Sequence, residues 1–409
     1  MTESNTTAPE PNESEGFSDE EIAFIQAHLQ DNPSQLILNA GRFKGLDVKK
    51  LASQIQSRQK AVRKLPEWSA NRNLIFPPAL SVEQCSSEAT AKYKASLVTG
   101  ETLVDMTGGM GVDCYYMGLK FEKAHYFEQQ EEVARTAAFN FRQLKADNIR
   151  VHTGDSLKEF HSTGIQADWI YADPARRGSN QEKVVRLADC TPDIVTNLPL
   201  LFQYTQNIMI KTSPLLDIDL AATELQNLKE VYAIGYEQEC KELLFILDRE
   251  WRSPAFTVRA RIIDSNGEPV HRLDFERESE RSAPVRYSAP RAYLYEPHAA
   301  VLKAGAFRTL CNTFKVDKVA IHSQLYTSDI QVKDFPGRNF KIVAICKPDS
   351  KEIMKHIEGN KANLTVRNFP AKTEDLRKKW KLKEGGDYYL FATTLADHSK
   401  VVIVTVKPV

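Results

Sequence analysis

The stretch Leu103-Val-Asp105-Met-Thr107-Gly108-Gly109-Met-Gly111-Val-Asp113 decides how this chain is read. It starts as a short apolar strand, closes on three glycines and runs into a helical pattern. An acidic residue at a strand end is thus followed by a turn whose backbone N–H groups can meet a ligand lying over the strand edge. Such a turn belongs to a nucleotide-type cofactor site. A dinucleotide fold asks for Gly-x-Gly-x-x-Gly, and the last position here is Cys114. A phosphate loop asks for Gly-Lys-Ser/Thr, and neither a lysine nor a hydroxyl follows Gly111. What is left is Asp-x-x-x-Gly-x-Gly, carried by Asp105, Gly109 and Gly111.

This pattern resembles the first motif of class I S-adenosylmethionine-dependent methyltransferases, with Thr107 where glycine is commoner. The chain continues in step with it. Ala124-His-Tyr-Phe-Glu128 is a second apolar run ending in a carboxylate, 17 residues after Gly111, where a doubly wound fold places a ribose. Glu128 is placed to accept hydrogen bonds from the two ribose hydroxyls. A helical pattern from Glu131 to Leu144 sets Val133, Ala137, Phe141 and Leu144 on one face. Ile149-Arg-Val-His-Thr-Gly-Asp155 then reads as a third strand, with Asp155 placed to receive the adenine amino group. The cofactor residues expected from the resemblance are Asp105, Thr107, Gly108, Gly109, Gly111, Glu128, Asp155, Ser156 and Asp173.

Ala167-Asp-Trp-Ile-Tyr-Ala-Asp173-Pro174-Ala175-Arg176-Arg177-Gly178 is a buried strand that ends in a polar, basic turn. Ligands sit at the carboxyl ends of such strands. The segment is similar to motif IV of the same family, which implies a catalytic set of Asp173, Pro174, Arg176 and Arg177, the two arginines also gripping substrate. Enzymes that methylate exocyclic amines usually carry Asp/Asn-Pro-Pro and an aromatic residue, where this chain has Ala175 and Arg176. Pyrimidine C5 enzymes need a cysteine nucleophile, and no cysteine lies near the motif. The target atom is left open.

At 409 residues and 42% hydrophobic, the chain can hold two or three cored domains. No apolar run approaches the roughly 20 residues that span a bilayer, and no signal-peptide pattern opens the sequence, so a cytoplasmic protein without membrane attachment is expected. Six scattered cysteines form no Cys-x-x-Cys pair, which points away from zinc or a disulfide framework; no metal is expected. The net charge is zero but unevenly spread: residues 41–74 sum to +7, 281–409 to +11 and 75–280 to about −10.

Ahead of the core, Ser18-Asp-Glu-Glu21 is a capping box, and Val48 to Leu65 reads as a basic helix. Trp68, Arg72 and Phe76 follow it, interleaving aromatics with cations in a pattern that suits nucleic acid. Gln84, Ser86, Ser87 and Thr90 stand where the segment before the first strand can close over the cofactor's methionine end; as polar residues before a helix they also read as caps. Downstream, Leu187 to Tyr204 reads as a helix broken at Pro192 and Pro199, Asn207 to Lys211 as a fifth strand with Thr212-Ser213-Pro214 at its end, and Glu230 to Leu247 as a closing antiparallel pair. Asn266-Gly267 marks a hairpin.

The remainder alternates strands and helices: a helix at 298–312, strands near 317–323, 340–346, 362–369, 387–394 and 400–407, and helices near 350–358 and 372–381. Two basic features there suit RNA: the strand ending Arg367-Asn-Phe369, and Arg377, Lys378 and Lys379 around Trp380, with cations for phosphates and rings for bases. The segment from Tyr293 to Gly305, with the tail, resembles the THUMP-like domain joined to some bacterial class I methyltransferases.

The expected fold is α/β: a seven-stranded Rossmann-like methyltransferase core, an N-terminal helical module and a small α+β THUMP-like domain. The expected divisions are an acidic disordered lead at 1–16, a basic helical module at 17–79, the core at 80–250, a bridging hairpin at 251–285 and the THUMP-like domain at 286–409. The resemblance implies an S-adenosylmethionine-dependent methyltransferase modifying a base in tRNA or rRNA. A protein or small-molecule methyltransferase, or a non-catalytic RNA-binding protein on this scaffold, are the alternatives.

Overall fold

The structure, a computed structural model, describes residues 16–176 and 186–408. The expected acidic lead, apart from Gly16, lies outside the described residues, as do Arg177 and the side chain of Arg176. The chain forms two compact units. One comprises Met1–Val231, Glu242–Pro254 and Ile263–Pro269; the other comprises Tyr232–Lys241, Ala255–Ile262 and Val270–Val409.

The larger sheet holds strands β1 (Gly100–Asp105), β2 (Phe121–Glu128), β3 (Ile149–Thr153), β4 (Ala167–Ala172) and β5 (Thr205–Thr212), all in the first unit, with β6 (Leu228–Tyr236) and β7 (Glu239–Asp248) as the closing hairpin, whose tip Tyr232–Lys241 is counted in the second. These seven run in the order β3-β2-β1-β4-β5-β7-β6, and Thr257–Ile263 and then Pro269–Glu276, expected as a separate bridging hairpin, continue beyond β6 to make a nine-stranded sheet. The strands from β3 to β5 pair in parallel and β7 returns antiparallel to β5, the seven-stranded class I methyltransferase arrangement. Leu103, Val104, Ile170 and Ala172 are all 0% exposed, as expected of parallel strands covered on both faces. Registers of Asp105 with Tyr126 and Tyr171, and of Glu128 with Thr153, bring the carboxyl ends of β1 to β4 to one edge of the sheet.

Two readings ahead of the core resolve differently. Ser18 and Glu21 close the capping box, each side chain accepting from the other's backbone N–H at 3.2 and 2.9 Å, and the helix Val48–Lys64 forms with Asp47 as its cap. The aromatics proposed to interleave with cations are core instead. Trp68 and Phe76 are each 1% exposed, and Arg58 is buried beneath them, its Nη2 donating to the carbonyls of Arg72 and Leu74 at 2.8 and 2.6 Å. Burial lowers the Arg58 pKa to about 10. Trp68 sits in the short helix Pro66–Ala70 and Phe76 in the non-helical stretch after it, and both rings turn into the core.

The expected helix over Leu187–Tyr204 is also corrected. A 3-10 turn at Leu187–Asp189 leads to a two-residue strand, Cys190–Thr191, paired antiparallel with Ala175–Arg176, and only then to a helix at Ile194–Leu201. Pro192 has no N–H to offer a continuing helix, and Asp193 restarts it by accepting from Thr196 N at 3.0 Å.

In the second unit, seven strands run in the order 317–318, 326–328, 293–297, 337–346, 400–406, 388–394 and 363–367. The helix expected over 298–312 is two, Ala299–Ala304 and Thr309–Phe314, because Gly305 caps the first in the left-handed conformation at φ +77°. The strand expected near 317–323 shortens to Asp317–Lys318, which pairs with Tyr326–Ser328. The predicted Asn266-Gly267 turn joins strands Thr257–Ile263 and Pro269–Glu276.

Candidate active site

The glycine turn after β1 is fixed from several sides. Gly108 N donates to Phe127 O, and Gly109 N to Glu128 Oε2, both at 2.9 Å. A Cβ on Gly108 would stand 2.2 Å from the Tyr126 ring, so no other residue fits. Gly111 takes a left-handed φ of +86° to start the helix Val112–Gly118. Thr107, the departure from the family pattern, has a visible reason: its Oγ1 accepts from Asp173 N at 2.6 Å and joins the turn after β1 to the end of β4.

Around this turn lies a cleft of about 380 Å³, a size suited to a small organic ligand. Of the expected cofactor residues, Thr107, Gly109, Glu128, Asp155, Ser156 and Asp173 line it. Asp155 also caps the helix Ser156–Thr163, its Oδ1 accepting from Leu157 N and Lys158 N at 3.1 and 3.3 Å. Asp105 sits beneath the turn, 1% exposed, with Oδ1 accepting from Thr107 N at 2.9 Å and Oδ2 without a hydrogen-bond partner. Burial, reinforced by Asp113, Asp173 and Glu128, pushes its carboxyl up to about 8, so the folded site favours its protonated form.

Sequence reasoning missed two parts of the site. Gln129 and Gln130 beyond β2, and Thr191, Pro192 and Asp193, also line the cleft; the expected helix over 187–204 concealed the latter. Behind the cleft lies a buried ionic network. Lys94, 0% exposed, donates to Glu242 Oε1 at 2.6 Å and Ser86 Oγ at 3.1 Å, and pairs with Asp113 Oδ1 at 3.2 Å. Asp113 Oδ2 accepts from Ser86 Oγ and Tyr171 OH, both at 2.7 Å. Burial opposes its charge, but Lys94 and Lys211 hold the Asp113 carboxyl below the usual range. Lys211 pairs with Asp173 itself. Burial works against that ammonium too, yet Asp173, Glu242 and Asp113 raise its pKa above the ordinary lysine value. Ser86 thus belongs to the ionic network, and Ser87 caps the helix Glu88–Ala95 through Thr90 N at 3.2 Å.

The expected nucleic-acid residues of the second unit are not brought together as read. Trp380 is 0% exposed in a core with Leu376, Leu390 and Val404, so its ring has no face to offer a base. Phe369 packs against the same core. Arg367 is tied to Glu296 at 2.9 Å and Arg377 stands 3.7 Å from Glu384, while Lys378 and Lys379 are exposed. A tryptophan flanked by cations read as a stacking platform because sequence shows the charges and hides the helix's inward face.

Sheet order, glycine turn and the carboxylates at successive strand ends together define the class I methyltransferase architecture. Comparison with known proteins agrees. A structure from Porphyromonas gingivalis W83, described as a methyltransferase, matches with a TM-score of 0.84 and 30% identity, over 96% of this chain and 100% of that one. Residues 293–336 match a ferredoxin-like domain model and 337–407 a THUMP domain-like model. An RNA methyltransferase of Clostridium tetani, described as uncharacterized, is 28% identical over 102 residues, which span 24% of this chain and 22% of that relative. The chain belongs to the methyltransferase family that the Porphyromonas protein represents, with a THUMP-like domain at its C-terminal side.

Proposed function

We propose that this chain is an S-adenosylmethionine-dependent methyltransferase that modifies a base in RNA, tRNA or rRNA. The observation that carries the first half is the cleft in which Glu128, Asp155 and Asp173 converge on the glycine turn. Its contents suit an adenosine-bearing cation: carboxylates for ribose hydroxyls and an amino group, a bare glycine turn for close approach, and a buried Asp105 Oδ2 still lacking a partner. The cofactor residues in this reading are Asp105, Thr107, Gly108, Gly109, Gly111, Glu128, Asp155, Ser156 and Asp173. When bound, the cofactor supplies a methyl group already activated on a sulfonium, so alignment contributes much of the rate.

The chain's own part is positioning. Lys211 and the Thr107 hydroxyl hold Asp173 from its side chain and from its backbone N–H, which leaves the other carboxylate oxygen to orient an acceptor nitrogen or take its proton. Pro174, Arg176 and Arg177 follow Asp173 in the sequence and are assigned to the acceptor and its phosphate. The RNA half is supported by the THUMP domain-like match, by the Clostridium relative's description and by the basic balance of residues 281–409.

The test is calorimetric titration of S-adenosylmethionine and S-adenosylhomocysteine into the full chain and into Glu128→Ala, followed by transfer of labelled methyl to unmodified tRNA and rRNA. Binding of both ligands, weakened in the variant, with label entering RNA, is the expected result. No binding at millimolar ligand would overturn the enzymatic reading. Binding without transfer to RNA, but with transfer to protein or small acceptors, would overturn the choice of substrate.

A further inference from the structure

In the second unit, three charged residues that are not among those lining the cofactor cleft form a cluster. Glu296, on the strand Tyr293–Pro297, is 4% exposed and lies directly opposite Arg338 on the neighbouring strand. Arg338 donates to Glu296 Oε2 from Nε at 2.7 Å and from Nη2. Arg367, at the end of Asn363–Arg367, donates to the other oxygen, Oε1, from Nε at 3.1 Å and Nη2 at 2.9 Å. Each guanidinium therefore engages side-on, one per carboxylate oxygen. Both arginines remain partly in solvent, with side chains 39% and 38% exposed, and Arg338 lies over the Phe340 ring at 5.4 Å.

Two cations on one carboxylate leave a surplus positive charge. A purely structural ion pair needs only one arginine, and the second adds like-charge repulsion beside the first. What the second arginine gains is geometry. With Nε and Nη2 of each committed to Glu296, the Nη1 edges are the donors turned away from the carboxylate, on guanidiniums whose planes are fixed. Paired guanidiniums match the oxygens of a phosphate. We infer that Arg338 and Arg367, aligned by Glu296, form a cradle for a single phosphate of the RNA backbone. The inference rests on the RNA reading above and gives it a contact point, with Glu296 as the positioning residue.

The experiment is anisotropy titration of labelled, unmodified tRNA and rRNA transcripts with the full chain between about 50 and 200 mM salt. Arg338→Lys and Arg367→Lys keep the charge and lose the fork. The cradle predicts about tenfold weaker binding for each. Arg338→Gln, Arg367→Gln and the double variant should each lower the salt slope by the same amount, about 0.7 to 0.9, because one phosphate is shared. Glu296→Gln gives the sharpest sign. Removing a negative charge should tighten binding to any basic surface, whereas loss of alignment should weaken it here. Melting curves of each variant separate misfolding from lost contact, and the exposed Arg→Lys pair decides the matter if Glu296→Gln unfolds. Wild-type binding left unchanged by both lysine variants, or a double variant that loses twice the slope, overturns the cradle and spares the RNA reading. A wild-type chain that does not bind RNA overturns both.

Discussion

Glu128 and Glu296 are both glutamates near the end of a strand, and they are satisfied in different ways. Glu128, on the cleft, accepts from the backbone N–H groups of Gly109 and Gln130, each at 2.9 Å. Glu296 accepts from two guanidiniums. The same contrast runs through the two units. At the carboxyl edge of the first sheet, carboxylates gather around one another, Lys94 and Lys211 lie buried among them, and Asp105 is left an orphan oxygen. In the second unit the arginines read as ligand-facing are already paired and the aromatics read as platforms are packed. A strand-end carboxylate bonded to backbone amides can exchange those bonds for a ligand's, whereas one held by arginines serves to aim them.

The largest effect expected from this contrast is in pH dependence. Because burial raises the Asp105 carboxyl to about 8 from an ordinary value near 3.8, the folded state favours its protonated form. That contribution to stability is fully present below about pH 4 and is lost as pH rises through about 8. Asp105→Asn should therefore gain on the wild type across that window, by on the order of 5 kcal/mol, in urea unfolding followed at several pH values. Parallel curves would mean that Asp105 is ionised in the fold.

Lys94→Met leaves Glu242 and Asp113 buried with one cation fewer and should cost about 4 kcal/mol of stability. A loss under 1 kcal/mol would show that water reaches the network. Trp380→Ala should cost about 3 kcal/mol as a core deletion and leave the salt dependence of RNA binding as it was; a lowered RNA affinity in the folded variant would restore the stacking role. Glu128→Gln should weaken S-adenosylhomocysteine by about 2 kcal/mol, or some thirtyfold. An unchanged affinity in calorimetry would move the ribose contact elsewhere. Thr107→Val, which removes the bond from Asp173 N and the long 3.5 Å bond to Asp105 Oδ1, should cost about 1 kcal/mol and lower turnover more than cofactor affinity.

The first unit was legible because its signals are local. Strand, glycine turn, helix, strand and carboxylate follow one another within short distances, and the parallel sheet of a doubly wound fold orders them. The strand ends that carry Asp105, Glu128, Asp155 and Asp173 could be ordered from spacing, and the resemblance supplied the roles expected of them. Lys94 and Glu242 could not, since 148 positions separate the partners and neither stands in a motif. In the sequence, Lys211 reads only as the end of a strand. The wall at Thr191–Asp193 was hidden by apolar spacing that also fits a helix, although Pro192 followed by Asp193 was a visible restart signal. In the second unit, composition showed a basic surplus but not its direction. Arg367 turns to a glutamate 71 residues away, and only the folded sheet reveals it.

The hydrogen bond from Asp173 N to the Thr107 hydroxyl has a thermodynamic consequence. Threonine is stiff about χ1, so displacement of the backbone at Asp173 strains the glycine turn, and displacement of the turn strains Asp173. Ligands on the two sides of this bond then share a coupling free energy, and reciprocity requires that whatever tightening the first confers on the second is returned in equal measure. Thr107→Gly would sever that communication, because it removes the hydroxyl that accepts from Asp173 N.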